Sequence, residues 1–171
     1  MKVIIATGNR HKVAELSELF APYNNKGYEF VSMRDAGFTG DIVEDADTFE
    51  GNALIKARTV CEATGCIAIA DDSGLCVDAL DGKPGVFSAR YAGELADDGA
   101  KLLAELRDVP EEKRTARFCC VIAAAFPDGK TVVAQGECEG RIGFEKKGDG
   151  DFGYDPLFYY PPFDKTFAEM T

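Results

Sequence analysis

The sequence predicts an α/β domain on a mixed β-sheet, and three observations carry the prediction. The chain opens as strand, turn and helix; a second helix is flanked by strand-like runs; and a hairpin then adds antiparallel strands to the sheet. With 171 residues, it has the size of one domain, expected to span 1–171, and can bury a core without a covalent staple.

Each element has its own warrant. Val3 to Ala6 is a continuous apolar run that stops at Thr7-Gly8-Asn9, after which Val13, Leu16, Leu19 and Phe20 recur at helical spacing. Tyr28 to Ser32 reads as the second strand. The acidic loop Asp41 to Asp47 leads into a helix with Phe49, Ala53, Ala57 and Val60 on one face, closing near Gly65. Cys66 to Ala70 is the next buried strand, with Asp71-Asp72-Ser73-Gly74 expected at its carboxyl end. Beyond the Gly82-Lys83-Pro84-Gly85 loop, a helix is expected from Asp97 or Asp98, with Leu102, Leu103 and Leu106 on its apolar side and an acidic first turn that suits the helix dipole. Phe118 to Phe126 and Thr131 to Glu139 flank Pro127-Asp128-Gly129-Lys130, the composition of a hairpin turn.

Composition narrows the function. The chain is 46% hydrophobic and 29% charged, as in soluble globular proteins, and no run approaches the roughly 18 apolar residues of a membrane span. The opening run is too short for a secretory signal, so a cytoplasmic protein is expected. A net charge of −11 with scattered basic residues argues against a nucleic-acid duplex as partner, while a small polyanion held by a divalent cation and a few lysines stays open. The six cysteines form no CxxC pair and His11 is the one histidine, so zinc-site spacing is absent and the thiols are expected to be reduced core residues.

Four constellations bear chemistry. Thr7-Gly8-Asn9-Arg10-His11-Lys12 joins strand to helix, where unpaired backbone N–H groups, a glycine and a first-turn lysine suit an anion; the alternative is a plain turn with a solvated lysine. Thr48, Asn52 and Lys56 recur four apart in one polar stripe, the usual mark of a solvated face, with Glu44 upstream as an oxygen ligand of the kind Mg²⁺ takes. Asp71 and Asp72 are adjacent carboxylates whose repulsion a divalent cation would relieve, or else they cap a turn; as strand neighbours they face opposite sides. Phe152-Gly153-Tyr154-Asp155 offers two aromatic rings for stacking on a base, or for a core.

In order, "ATGNRHKVAEL", "TFEGNALIKA", "ADDSGLCVDALDGKPGVFSARYAG", "FGYDPLF" and "KTFAEMT" resemble the inosine triphosphate pyrophosphatase family, from Lys2 to the last residue. The resemblance implies an elongated mixed sheet flanked by helices, two lobes with the active-site cleft between them, and a homodimer. It implies Mg²⁺-dependent hydrolysis of ITP, dITP or XTP to the monophosphate and pyrophosphate. It places Thr7, Gly8, Asn9, Arg10, His11 and Lys12 at the triphosphate, makes Asp72 the proton acceptor and a metal ligand, and adds Glu44 as second metal-site carboxylate. Lys56 would face the phosphates as a catalytic residue, Ser73 would touch substrate, and Phe152, Gly153, Tyr154 and Asp155 would hold the base and sugar. Two departures stand out: relatives continue past "TFAEM" into a Ser-His-Arg triplet that helps read the purine, and many carry glutamate where Gly51 stands here. The rival readings are a Maf-like nucleotide pyrophosphatase of other base preference and a nucleotide sensor without turnover.

Overall fold

The computed structural model describes residues 1–93, 97–150 and 152–170. It is an α/β fold on one seven-stranded sheet, in the order β2-β1-β3-β4-β5-β6-β7. The strands are β1 (Lys2–Ile5), β2 (Glu29–Ser32), β3 (Ile67–Val77), β4 (Thr115–Ala125), β5 (Thr131–Ile142), β6 (Phe158–Tyr160) and β7 (Lys165–Thr166). The sheet is mixed: β1 runs parallel to both β2 and β3, while β6 is antiparallel to β5 and to β7. The main helices are α1 (Arg10–Asn24), α2 (Phe49–Thr64) and α3 (Asp98–Glu105).

The chain divides into two compact units, 1–72 with 121–135, and 73–120 with 136–171. In the first, strand order places β1 between β2 and β3, so the chain moves one way from β1 to β2 and back the other way from β2 to β3. Right-handed crossovers then put α1 and α2 on opposite faces of the sheet. The gap between β1 and β3 is therefore the topological switch point, where ligands of parallel α/β sheets gather. The core here is built of small residues: Ala53, Ala57, Val60 and Cys61 of α2 meet Ala68 and Ala70 of β3 and Val121, Ala123 and Ala125 of β4. So many alanines let the helix approach the sheet closely, which draws the polar stripe beside them down as well. Gly65 ends α2 in the left-handed conformation, φ 65°, which glycine adopts without steric cost.

The second unit has a bulkier core, with Leu75, Val77, Leu102, Leu106, Ile142, Leu157 and Phe158 buried together. Its largest fully buried side chain is Arg114, 1% exposed. The guanidinium donates to the carbonyls of Leu106, Val109, Ile142 and Gly143 and lies 4.2 Å from the Phe144 ring centroid. Burial lowers its pKa without neutralising so strong a base. Gly148 has φ 92°, and a Cβ there would lie 2.5 Å from the backbone of Ala168; only glycine lets this loop close on the C-terminal segment.

Two expectations need correction. β3 does not stop at Ala70 but runs 11 residues to Val77, carrying Asp71-Asp72-Ser73-Gly74 inside it. What does stop is its pairing with β1, whose register ends at Ile5 opposite Ile69. The aspartates thus lie at the carboxyl end of the β1–β3 ladder while remaining within a strand. The short strands β6 and β7 were not foreseen, their apolar residues being too few to show a period.

Candidate active site

The turn after β1 and the middle of β3 lie beyond the same end of two parallel strands, and this brings the charged residues together. Asn9 caps α1, its side chain accepting from the N–H groups of His11 at 2.9 Å and Lys12 at 3.3 Å, while its own N–H donates to Thr7 Oγ1 at 3.2 Å. Lys12 Nζ lies 2.6 Å from Asp71 Oδ2. Lys12 is therefore not a solvated lysine: the anion that offsets its position at the positive end of the helix is a carboxylate of β3.

On the opposite face, α2 supplies the second lysine. Thr48 accepts from Gly51 N–H at 3.0 Å as the N-cap, and Asn52 Oδ1 accepts from Ala46 N–H at 3.0 Å, fixing the acidic loop against the helix. One turn on, Lys56 Nζ reaches Glu44 Oε2 at 2.7 Å and Asp72 Oδ1 at 3.1 Å. The solvated-face reading of the stripe is overturned too: Asn52 is 2% and Lys56 7% exposed.

Two carboxylates share one ammonium, and the electrostatics follow. Burial pushes the Asp72 carboxyl above its ordinary value; the Lys56 charge opposes this, Glu44 reinforces it, and the Asn52 side chain is the smallest influence. Burial alone would lower Lys56, but the Glu44 hydrogen bond and the charges of Asp72 and Glu44 more than reverse it, so its pKa is raised and it stays charged. Asp72 Oδ2 and Asp71 Oδ1 are buried without a hydrogen-bond partner. Orphaned buried carboxylate oxygens are costly and point to a missing cation or donor. Glu44 and Asp72 fit Mg²⁺, which takes one or two protein carboxylates and completes its shell with water and phosphate oxygens. Among the described residues no cluster of three metal-ligating side chains occurs.

Residues 3–171 match the model of the Ham1 family. The chain belongs to that family. Among curated proteins it is 55% identical over 174 residues to the dITP/XTP pyrophosphatase of Desulforamulus reducens, covering 99% of this chain and 85% of that protein. Against the dITP/XTP pyrophosphatase of Halalkalibacterium halodurans it is 50% identical, covering 98% and 87%. The solved structure of the Staphylococcus aureus Ham1 protein superposes with a TM-score of 0.88 at 38% identity, and a HAM1 protein from Coxiella burnetii with 0.90 at 38%; each comparison covers 100% of this chain and 87% of the other.

Within this Ham1 chain, the first unit gathers Thr7 to Lys12, Glu44, Lys56, Asp71 and Asp72. Sequence reasoning gave no role to Asn52 beyond the stripe, or to Asp71 beyond its neighbour; the four-residue spacing to Lys56 and the alternation along the strand were the available signals. In the second unit, Tyr154 corrects the stacking expectation. Its ring is a core residue, 5% exposed, and its hydroxyl donates to the Ser88 carbonyl at 2.8 Å. Burial raises its pKa further, so it remains a neutral phenol. Phe152, 46% exposed, is the more exposed ring of the pair. Ser88 in turn donates to Gly85 O and accepts from Leu75 N–H, tying β3 to the loop that follows it.

Proposed function

We propose that this chain hydrolyses non-canonical purine nucleoside triphosphates, dITP, ITP and XTP, to the monophosphate and pyrophosphate. The observation that carries the reading is the Glu44–Lys56–Asp72 arrangement at the β1–β3 switch point, with one Asp72 oxygen buried and unpartnered. The names of the relatives, dITP/XTP pyrophosphatases over nearly the whole chain, support the substrate class.

In the proposed reaction, water attacks the α-phosphorus, the bond from that phosphorus to the α–β bridging oxygen breaks, and pyrophosphate leaves in line. Asp72 accepts the proton of the water. Its raised pKa makes it a stronger base than an exposed aspartate. Lys56 and Lys12 hold the polyphosphate and stabilise the charge gathering on the departing oxygens. Glu44 and Asp72 would hold Mg²⁺, which neutralises phosphate charge and activates water when bound. Backbone N–H groups of the Thr7–Lys12 turn complete the anion site.

For the base and sugar, the reading rests on the resemblance for Ser73, Phe152, Gly153 and Asp155, with Tyr154 beside them as a core residue. A site of hydrogen-bond donors facing the 6-oxo group of hypoxanthine or xanthine rejects adenine, whose 6-amino group would oppose donor to donor. A homodimer working in the cytoplasm belongs to the same proposal; among the described residues no helix is long and apolar enough to cross a membrane.

The test is pyrophosphate release with Mg²⁺ from dITP, ITP, XTP, dATP, dGTP, dTTP and UTP. Selective turnover of the first three is expected. Preference for dTTP or UTP would favour the Maf-like reading, and dITP binding without turnover would favour a sensor.

A further inference from the structure

Cys76 on β3, Cys119 on β4 and Glu137 on β5 form a row across three neighbouring strands, all three within the second unit. Cys119 Sγ lies 3.8 Å from Cys76 Sγ and 3.9 Å from Glu137 Oε1. Both thiols are free, so two reduced sulfurs touch across the β3–β4 ladder with a carboxylate beside one of them. A disulfide needs about 2.05 Å between sulfurs and a Cα separation of about 4.4–6.8 Å, and neighbouring strands about 4.8 Å apart supply that backbone spacing. Closing the pair therefore asks for side-chain rotation and little movement of the sheet.

The two thiols differ in their surroundings, and the difference orders the chemistry. Cys119 is 6% exposed while Cys76 is half-buried, so an oxidant arriving from solvent meets Cys76 first. Burial, then Cys76 and the Glu137 charge, push the Cys119 thiol up to about 12, with Arg117 opposing them. Cys119 accordingly keeps its proton until a base takes it, and the Glu137 carboxylate is in reach to do so.

We propose that Cys76 and Cys119 are a peroxide-oxidation site that closes to a reversible disulfide between β3 and β4. The Cys76 thiolate attacks one oxygen of hydrogen peroxide, the O–O bond breaks, and Cys76 becomes a sulfenic acid while the other oxygen leaves as water with the proton the thiol gave up. Cys119 then passes its proton to Glu137 and attacks the sulfenic sulfur. The S–S bond forms, the S–O bond breaks, and that oxygen leaves as a second water carrying the proton from Glu137. Two electrons pass from the two thiols to peroxide, and a dithiol reductant reverses the change. The site stands apart from the hydrolytic reaction, which uses no thiol.

Peroxide titration of the full chain, followed by thiol counting and peptide mass mapping, tests it. The expected product has lost two of its six free thiols and two hydrogens, joins the peptides that hold Cys76 and Cys119, and reverts with dithiothreitol. Cys119→Ala should stop at a sulfenic acid on Cys76, read as its dimedone adduct, and Cys76→Ala should give neither product. Glu137→Gln should slow closure at least about tenfold and leave the first oxidation unchanged. Because the link closes the long loop from Cys76 to Cys119, the oxidised parent should unfold about 5–10 °C higher in thermal scans. A first product joining other cysteines, closure only in the urea-unfolded chain, or a lower Tm after oxidation would each overturn the proposal; unchanged closure in Glu137→Gln would remove Glu137 from it. The mapping is made on the parent chain and needs no variant to fold.

Discussion

Lys12, in the first turn of α1, holds Asp71, in the middle of β3, through a 2.6 Å ion pair. Asp71 is 5% exposed, and its other oxygen, Oδ1, has no hydrogen-bond partner. The pair explains how a strand runs through two consecutive carboxylates: each is met by a lysine from a helix on its own face.

The first prediction concerns that pair. Lys12→Met should leave a buried carboxylate uncompensated and cost about 3 kcal/mol, whereas Asp71→Asn in the Lys12→Met background should recover most of the loss. Chemical denaturation of the two single variants and the double variant gives the coupling energy, expected at about 1–3 kcal/mol for residues in contact. Additive effects would contradict the role given to the pair.

Asp72→Asn separates chemistry from folding. Turnover of dITP should fall at least about a hundredfold, the usual scale for loss of a general base. Stability should not fall at neutral pH, and the sign follows from the raised pKa. A carboxyl whose folded value lies above its unfolded one favours the folded state while protonated, below the unfolded value near 4, and that advantage is lost as pH rises through the folded value. The asparagine variant, which cannot ionise, should therefore match or exceed the parent Tm at pH 7, while Lys56 keeps Glu44. A fall of several degrees in thermal scans would contradict this.

Gly51 tests the loop that delivers Glu44. A Cβ at this position would lie 2.6 Å from Ala46 Cβ and 3.0 Å from Thr48 Oγ1. Helix propensity alone favours alanine by about 1 kcal/mol, so any net destabilisation in Gly51→Ala reports the clash. A net loss of about 1 kcal/mol and reduced turnover are expected, with Ala46→Gly in the same chain restoring both. Urea unfolding and a dITP assay on the single and double variants decide it.

Arg114→Met removes the cation that satisfies four carbonyls of the second unit. Methionine fills part of the volume but donates nothing, so a loss of about 3 kcal/mol is expected from stranded buried acceptors. Arg114→Lys should recover part of it at most, because a single ammonium cannot span acceptors arranged for a fork. Equal stability of the methionine variant, measured by denaturant titration, would show the carbonyls finding water instead.

Much of this protein was legible in its sequence because the signals are local. Apolar spacing marked α1 and α2, Gly65 marked the end of α2, and Pro127 to Lys130 marked the hairpin, since each depends on the conformational limits of neighbouring residues. Asp97 or Asp98 was expected to start α3, and the helix runs from Asp98 with Asp97 as its N-cap, whose side chain accepts from Ala100 N–H at 3.0 Å. The residues of the candidate site were also named from the chain, although their partners were not.

Tertiary structure decided the rest, because charge compensation between distant segments leaves no local trace. Asp71-Asp72-Ser73-Gly74 has the composition of a turn, yet lysines 59 and 16 residues away in sequence hold both carboxylates within β3. Lys56 belongs to a spacing that usually means solvent; alanines on the neighbouring face of α2 draw it into the protein. Arg114, to which no sequence signal gave a role, is surrounded by carbonyls from the end of α3, the loop after it and the end of β5. The sequence by itself determined which elements form and which residues carry charge; the packing of α1 and α2 against opposite faces of the sheet determined which charges meet.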